Sequence, residues 1–291
     1  MKWTSLCLGT ACAVSVWVCG SEHFQQRYEL EPVTQVQMDA FGTVDVAQAD
    51  YNRLLVTAEE DLSEYIQLDI QRNKLTVTDT RTDSVWFQTR RLWQQMTGDT
   101  APMAQVHYAL YLQNPESIQL NGFFDARLNG IEGKDLNVIY NGMGDLSGGG
   151  LKLEQLTLEL NGKVTTELKH SSVGAIAVQF NGLGHLQSKG LVSDTLQASL
   201  HGNISCQLNG HTQVLNWKMQ GAGDCEASGL ASQSARVDLQ GASDMVVKVA
   251  KSLEASTQQG ASLHYYGSPK VTAKGSNIKR IAGGYQARTY Y

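Results

Sequence analysis

The sequence predicts an all-β protein, a right-handed parallel β-helix (β-solenoid) with about 20 residues per rung. Glycines that follow an amide or imidazole side chain recur at Gly122, Gly142, Gly162, Gly182, Gly202, Gly221, Gly241 and Gly260, in steps of 20, 20, 20, 20, 19, 20 and 19 residues. A fixed period of that length marks a repeat architecture. The flanking residues repeat too. Positions six, four and two before the glycine are Leu136, Val138, Tyr140; Leu156, Leu158, Leu160; Ile176, Val178, Phe180; Leu196, Ala198, Leu200; Leu215, Trp217, Met219; and Ala235, Val237, Leu239. All are apolar and mostly polar residues separate them, which is the period of a strand with one buried face. Twenty residues are too few for a strand–helix–strand unit of about 30, and no helical period is present inside a repeat. Asn-Gly ordinarily signals a hairpin. Hairpins, however, do not return the same apolar columns at one interval, whereas rungs stacked about 4.8 Å apart do. The right hand follows from the rule for parallel crossovers.

Residues 1–20 read as an export signal: Lys2, then an apolar run over 6–18, too short and too early for a membrane-spanning helix. Val18, Cys19 and Gly20 allow cleavage before Ser21, and alternatively Cys19 is a lipidated cysteine. Residues 21–115 hold irregular strands of the solenoid, expected at 33–38, 43–46, 54–57, 66–70, 75–78 and 106–112. An insertion at 80–104 interrupts them without a strand period. Its Trp86, Phe87, Arg90, Arg91 and Trp93 either form a binding surface or pack on the side or end of the solenoid.

Residues 116–270 form the regular β-helix. The residues before the glycines, Asn121, Asn141, Asn161, Asn181, His201, Gln220, Gln240 and Gln259, stack as a structural amide ladder. Glycine follows because the corner needs a positive φ or a close approach. Cys206 and Cys225 each lie four residues after their glycine, in an inward column with Leu146, Leu186 and Met245. Adjacent rungs hold their Cα atoms within disulfide range, so they are either bonded or two buried thiols. The column three after each glycine, Asp125, Asp145, Thr165, His185, Ser205, Asp224 and Asp244, faces outward. Asp224 and Asp244 raise cation binding or a carboxylate pair for sugar chemistry, against the simpler reading of a solvated face. Near the end, Leu253, Ala255 and Thr257 run one residue out of register with Gly260, which predicts a bulge, and His264, Tyr265 and Tyr266 then close the core. Residues 271–291 are a closing segment and tail.

The stretches DAFGTVDVAQAD, LLVTAEEDLSEYIQLDIQRNKLTV and VHYALYLQNPESIQLNGFFDARLNG, with the closing ASLHYYGSPKVTAKGSNIKRI, resemble the auto-transporter adhesin head family, also called the GIN domain, over residues 33–281. The resemblance implies an exported, often lipidated, β-helical envelope protein, and by its name adhesion; it brings no catalytic residues. The insertion and the tail at 282–291 depart from the family pattern.

The 291 residues carry a net charge of −5 with scattered basic residues, which disfavours nucleic-acid binding, and no phosphate-binding loop is present. No cofactor, metal site or catalytic residue is expected. The leading reading is a non-catalytic exported protein of the periplasm, outer membrane or cell surface that binds a glycan, a surface or an envelope partner. It touches the membrane only through a possible lipid anchor. The alternatives are a β-helical polysaccharide lyase or hydrolase, and a self-assembling structural β-helix.

Overall fold

The computed structural model describes residues 15–20, 23–83 and 106–281. Among them the protein is all-β, with one short 3-10 turn, Thr80–Asp83. In chain order the strands are β1 Ser15–Gly20, β2 His23–Glu29, β3 Gln35–Gln48, β4 Arg53–Ala58, β5 Ile66–Gln71, β6 Lys74–Asp79, β7 His107–Leu112, β8 Ser117–Asn129, β9 Glu132–Gly149, β10 Lys152–Lys169, β11 Ser172–Gln258, β12 Ser262–Tyr266, β13 Lys270–Lys274 and β14 Ile278–Arg280. β11, 87 residues long, runs through several positive-φ glycines without leaving the sheet. The sheet order β1-β2-β4-β7-β3-β8-β9-β10-β11-β12-β14 does not return on itself.

From β8 onward neighbours are parallel and each residue pairs with its equivalent one repeat later: Leu120 with Tyr140, Tyr140 with Leu160, Leu160 with Phe180. The three apolar columns are buried throughout. A second corner repeats as well. Gly130, Gly150, His170 and Gly190 all have positive φ, from 46° to 65°, and the buried residues Ile131, Leu151, Ser171 and Leu191 follow them. Gly130 therefore belongs to a period of its own, which the amide-glycine series hides because His170 takes the left-handed position in one repeat.

The core is filled by alternation across the glycine corner. Where the residue two before the corner is large or long, the residue two after is glycine: Met38 with Gly42, Tyr140 with Gly144, Phe180 with Gly184, Met219 with Gly223. Where it is leucine, a side chain returns: Leu120 with Phe124, Leu160 with Val164, Leu200 with Ile204, Leu239 with Ser243. A Cβ on Gly144 would stand 2.7 Å from the Tyr140 hydroxyl, and one on Gly184 2.7 Å from Phe180 Cζ. Close packing leaves room for one bulky group per repeat at this point.

The N-terminal part departs from parallel repetition. β3 pairs in parallel with β8, across 82 residues of sequence, and on its other side with β6 and β7. The strands expected at 33–38 and 43–46 are one strand. β1-β2-β4-β7 is antiparallel, and so is the β5–β6 hairpin, whose Arg72 and Asn73 both take positive φ. Residues 15–20, within the expected signal, pair with β2 as β1.

At the other end the repeat shortens: Asp244 pairs with Ser262, 18 residues on. The expected bulge is a tight turn at Gln259 and Gly260, both with positive φ, which lets Ala261 return inward. Leu263 is fully buried there and Tyr265 packs beside it, whereas His264 and Tyr266 are half-exposed. Leu263, with Tyr265, rather than the expected His264, Tyr265 and Tyr266 together, closes the core, because side chains alternate along β12.

Candidate functional site

The corner glycines organise the surface as well as the core. Gly142 has φ 153°, and a Cβ there would run into the Gly122 carbonyl oxygen of the preceding repeat. The amides beside the glycines are half-buried and bonded from repeat to repeat. Asn141 Nδ2 donates to Asn121 Oδ1 at 2.8 Å, Asn161 to Asn141 at 2.9 Å, and Asn181 to Asn161 at 2.9 Å. Asn121 in turn donates to Asp39 Oδ1 at 2.6 Å. Sequence reasoning missed Asp39 because Ala40, not glycine, follows it. His201 breaks the run; its Nδ1 is buried without a hydrogen bond among the described residues. Gln220 donating to Gln240 at 3.2 Å is a separate short ladder. These amides are consumed by the fold and offer little to a ligand.

Cys206 and Cys225 are buried and joined by a disulfide, with Cα atoms 4.5 Å apart. Asp224 and Asp244 are exposed, and the Ser262 hydroxyl donates to Asp244. Among the described residues no three His, Cys, Asp or Glu side chains converge as metal ligands.

Outward side chains beside the corner, with the buried Phe41 at their head, line an open cleft of about 580 Å³. One wall is the column just after the glycines, in which Phe41, Phe123, Met143 and Lys163 pair in register. The other is the column two further on, Thr43, Asp125, Asp145 and Thr165. Leu183 extends the first column beyond Lys163 and is 53% exposed. Tyr140 lies in the core beneath Phe124, which lines the cleft. Its hydroxyl donates to the Phe124 carbonyl at 2.6 Å and accepts from the Phe124 N–H at 3.0 Å. Burial raises the Tyr140 hydroxyl well above its ordinary range, so it stays protonated.

The head of the cleft meets the N-terminal strands. The Arg81 guanidinium lies 4.8 Å from the Phe41 ring centre and is bonded to the fully buried Asp79 carboxylate at 2.7 Å. The Thr43 N–H donates to the Val106 carbonyl. Arg81, near the end of the described stretch 23–83, and Val106, at the start of the next, thus both stand beside the cleft. Trp86, Phe87, Arg90, Arg91 and Trp93 lie outside the described residues, as do residues 1–14 and the tail at 282–291.

A sequence model of one protein family matches residues 33–204 and 172–269, and the family is described as putative auto-transporter adhesin, head GIN domain. The chain belongs to the GIN-domain family. No curated protein matches it. Among solved structures, this GIN-domain chain is similar to a putative adhesin from Parabacteroides distasonis, at 14% identity and TM-score 0.57 over 89% of this chain and 97% of that one. It is also similar to a putative lipid binding protein from the same species, at 15% identity and TM-score 0.56 over 90% and 97%. A putative adhesin from Parabacteroides merdae gives 14% identity and TM-score 0.54 over 90% and 97%. At these identities the likeness is one of fold.

In the GIN-domain chain, then, the structure stacks the predicted amides and cysteines as neighbours but gathers neither into a cleft. The cleft draws on Asp125 and Asp145 of the outward column, and on Phe123 and Met143, which sequence reasoning passed over. The signal for the latter was present: the position after the corner glycine carries Phe123, Met143 and Leu183 on an otherwise polar face.

Proposed function

We propose that this GIN-domain protein is a non-catalytic, exported protein of the cell envelope or surface that holds a glycan, free or displayed on a surface, along the cleft. The observation that carries this is the pairing of Phe123 and Met143 with Asp125 and Asp145 in two parallel columns. A sugar presents an apolar C–H face and a rim of hydroxyls. The apolar column suits the first, and ionised carboxylates accept hydrogen bonds from the second. Repetition at strand spacing suits a chain of like units. Family membership supports adhesion, and the apolar run at 6–18 supports export, with Cys19 as lipid anchor or cleavage before Ser21. The regular 20-residue offset from β8 through β9 and β10 into β11 supports winding as a right-handed parallel β-helix, with the antiparallel N-terminal strands covering one end.

The test is glycan-array and whole-cell binding by the protein beginning at Ser21. Beside it stand Asp125→Ala/Asp145→Ala, Phe123→Ala, and a variant with 84–104 replaced by a short Gly-Ser linker. Saturable binding, weakened at least about tenfold in the Asp pair and in Phe123→Ala, is expected. Undiminished binding by both would remove the cleft from the site, and loss in the linker variant alone would move the site to the 84–104 segment. Because Asp125 and Asp145 stand side by side, polysaccharide depolymerisation is measured with the same variants. Turnover lost in Asp125→Asn or Asp145→Asn would replace binding with glycoside chemistry.

A further inference from the structure

The closing end of the sheet carries a charge opposite to the rest of the chain. From residue 255 to 291 there are five Lys and Arg residues and no Asp or Glu. The remaining 254 residues hold 18 basic against all 28 acidic, so a segment of +5 follows a body of −10. Most of the basic residues are scattered through the rest of the chain; what sets the closing end apart is that its basic residues have no acidic ones among them.

Lys270, Lys274, Lys279 and Arg280 are all exposed on β13 and β14. Among the described residues none of the four is in an ion pair, and Arg280 donates only to the Ser268 hydroxyl at 2.7 Å. The nearest acidic groups are on neighbouring strands. Glu254 pairs across from Thr272 between the two lysines of β13, and Arg236 lies 3.5 Å from it. Asp238 lines the same shallow cleft as Lys274, and Asp244 is bonded to Ser262. Glu254 and Arg236 offset each other, so Asp238 and Asp244 alone stand against the four basic side chains, which leaves an excess of positive charge.

The same strands are the open edge of the sheet. β13 pairs with β11 alone and β14 with β12 alone among the described residues, so each has one edge of backbone donors and acceptors unused. A second copy docking here would set lysine against lysine, and edge lysines are a common guard against such pairing. A polyanion meets the opposite situation, with complementary charge and free backbone donors in one place. A membrane surface suits it less, since Val271, at 36% exposure, is the one exposed large apolar side chain on these two strands. In the sheet order this end is also opposite β1, the strand that contains Cys19.

We infer that the β13–β14 end is a second binding surface, separate from the cleft, and that it takes an acidic polysaccharide of the uronate or sulfated class. The probes are polygalacturonate and dextran sulfate, with neutral dextran, phosphatidylglycerol vesicles and duplex DNA alongside. The purified protein is expected to bind both acidic polymers and not neutral dextran, more weakly by about tenfold or more between low and high salt as screening demands. Lys270→Gln/Lys274→Gln/Lys279→Gln should lose at least about tenfold in affinity, since most of the uncompensated charge is gone. Lys134→Gln/Lys152→Gln/Lys218→Gln, which removes the same charge elsewhere, and Asp125→Ala/Asp145→Ala in the cleft should both retain binding. Circular dichroism and thermal melting establish that each variant is folded. Equal loss in both lysine triples would reduce the effect to net charge and overturn the inference. So would failure of the folded parent to bind, or preferential binding to vesicles or DNA. Failure here leaves the cleft reading standing, because the Asp125 and Asp145 variants test that separately.

Discussion

The strands from β8 to β11 and those from β2 to β7 belong to one sheet but are held in different ways. In the first region each residue has its equivalent 19 or 20 positions away, and the same contact is made again and again: glycine under a carbonyl, amide to amide, leucine on leucine. In the second no two strands play the same part. β3 reaches across 82 residues to β8, the hairpins run antiparallel, and one buried ion pair, Asp79 with Arg81, sits among aromatic rings. A repeated interaction can be lost once with limited damage because its neighbours remain, whereas an interaction made once has no substitute. The end of a stack of repeats has to be unlike its middle, because nothing continues beyond it.

The largest expected effect breaks the N-terminal region at its one buried charge pair among the described residues. Asp79 is fully buried and Arg81 is 16% exposed. Asp79→Ala should destabilise by about 3–5 kcal/mol in urea unfolding, because the mostly buried Arg81 loses its close bidentate partner and keeps the exposed Glu60 at 3.7 Å. A loss under about 1 kcal/mol would show that water reaches Arg81 and that the pair is not what holds this end.

Next comes a test inside the repeats. Gly142→Ala must place a Cβ against the Gly122 carbonyl at a φ of 153°, whereas around Gly130, at φ 61°, nothing lies within 4 Å. The first should cost about 2–5 kcal/mol and the second about 1 kcal/mol. Equal costs would mean that left-handed backbone alone, and not contact between repeats, sets the requirement for glycine.

The ladder gives a smaller effect. Asn141→Ala interrupts the run between Asn121 and Asn161 and should cost about 1 kcal/mol. Gln240→Ala removes the end of a pair joined by one 3.2 Å bond and should cost less.

The finest probe is alkaline pH. Burial first, and the Asp61 charge second, push the Tyr28 hydroxyl up to about 12, and burial also raises Tyr108 and Tyr140. A raised folded value means that these groups add stability in full below pH 10 and lose it as pH climbs through the folded value. Unfolding free energy should therefore fall between about pH 10 and pH 12. Tyr28→Phe and Tyr140→Phe should each flatten that fall from about pH 10 upward. A profile unchanged by Tyr28→Phe would remove Tyr28 from the linkage.

How much was legible follows the same division. Leu136, Leu156 and Ile176 announced themselves because their environment recurs, and so did Cys206 and Cys225 as neighbours in one column. Asp39 was invisible as the head of the ladder: it is 82 residues from Asn121, and Ala40 stands where the motif has glycine. The exchange of Tyr140 with Gly144 for Leu160 with Val164 has a period of two repeats, and one-repeat averaging cancels it. The cleft escaped because Phe123 and Met143 read as isolated apolar residues until their repeats are stacked.

By itself the sequence determined the all-β class, the buried columns and the 20-residue offset, since each is a periodic property that one chain displays along its length. Tertiary structure alone decided which strands turn antiparallel, which carboxylate is buried against Arg81, and that the outward residues of successive repeats form a cleft. Each of these depends on residues far apart in the chain meeting once, and a meeting made once leaves no period to read.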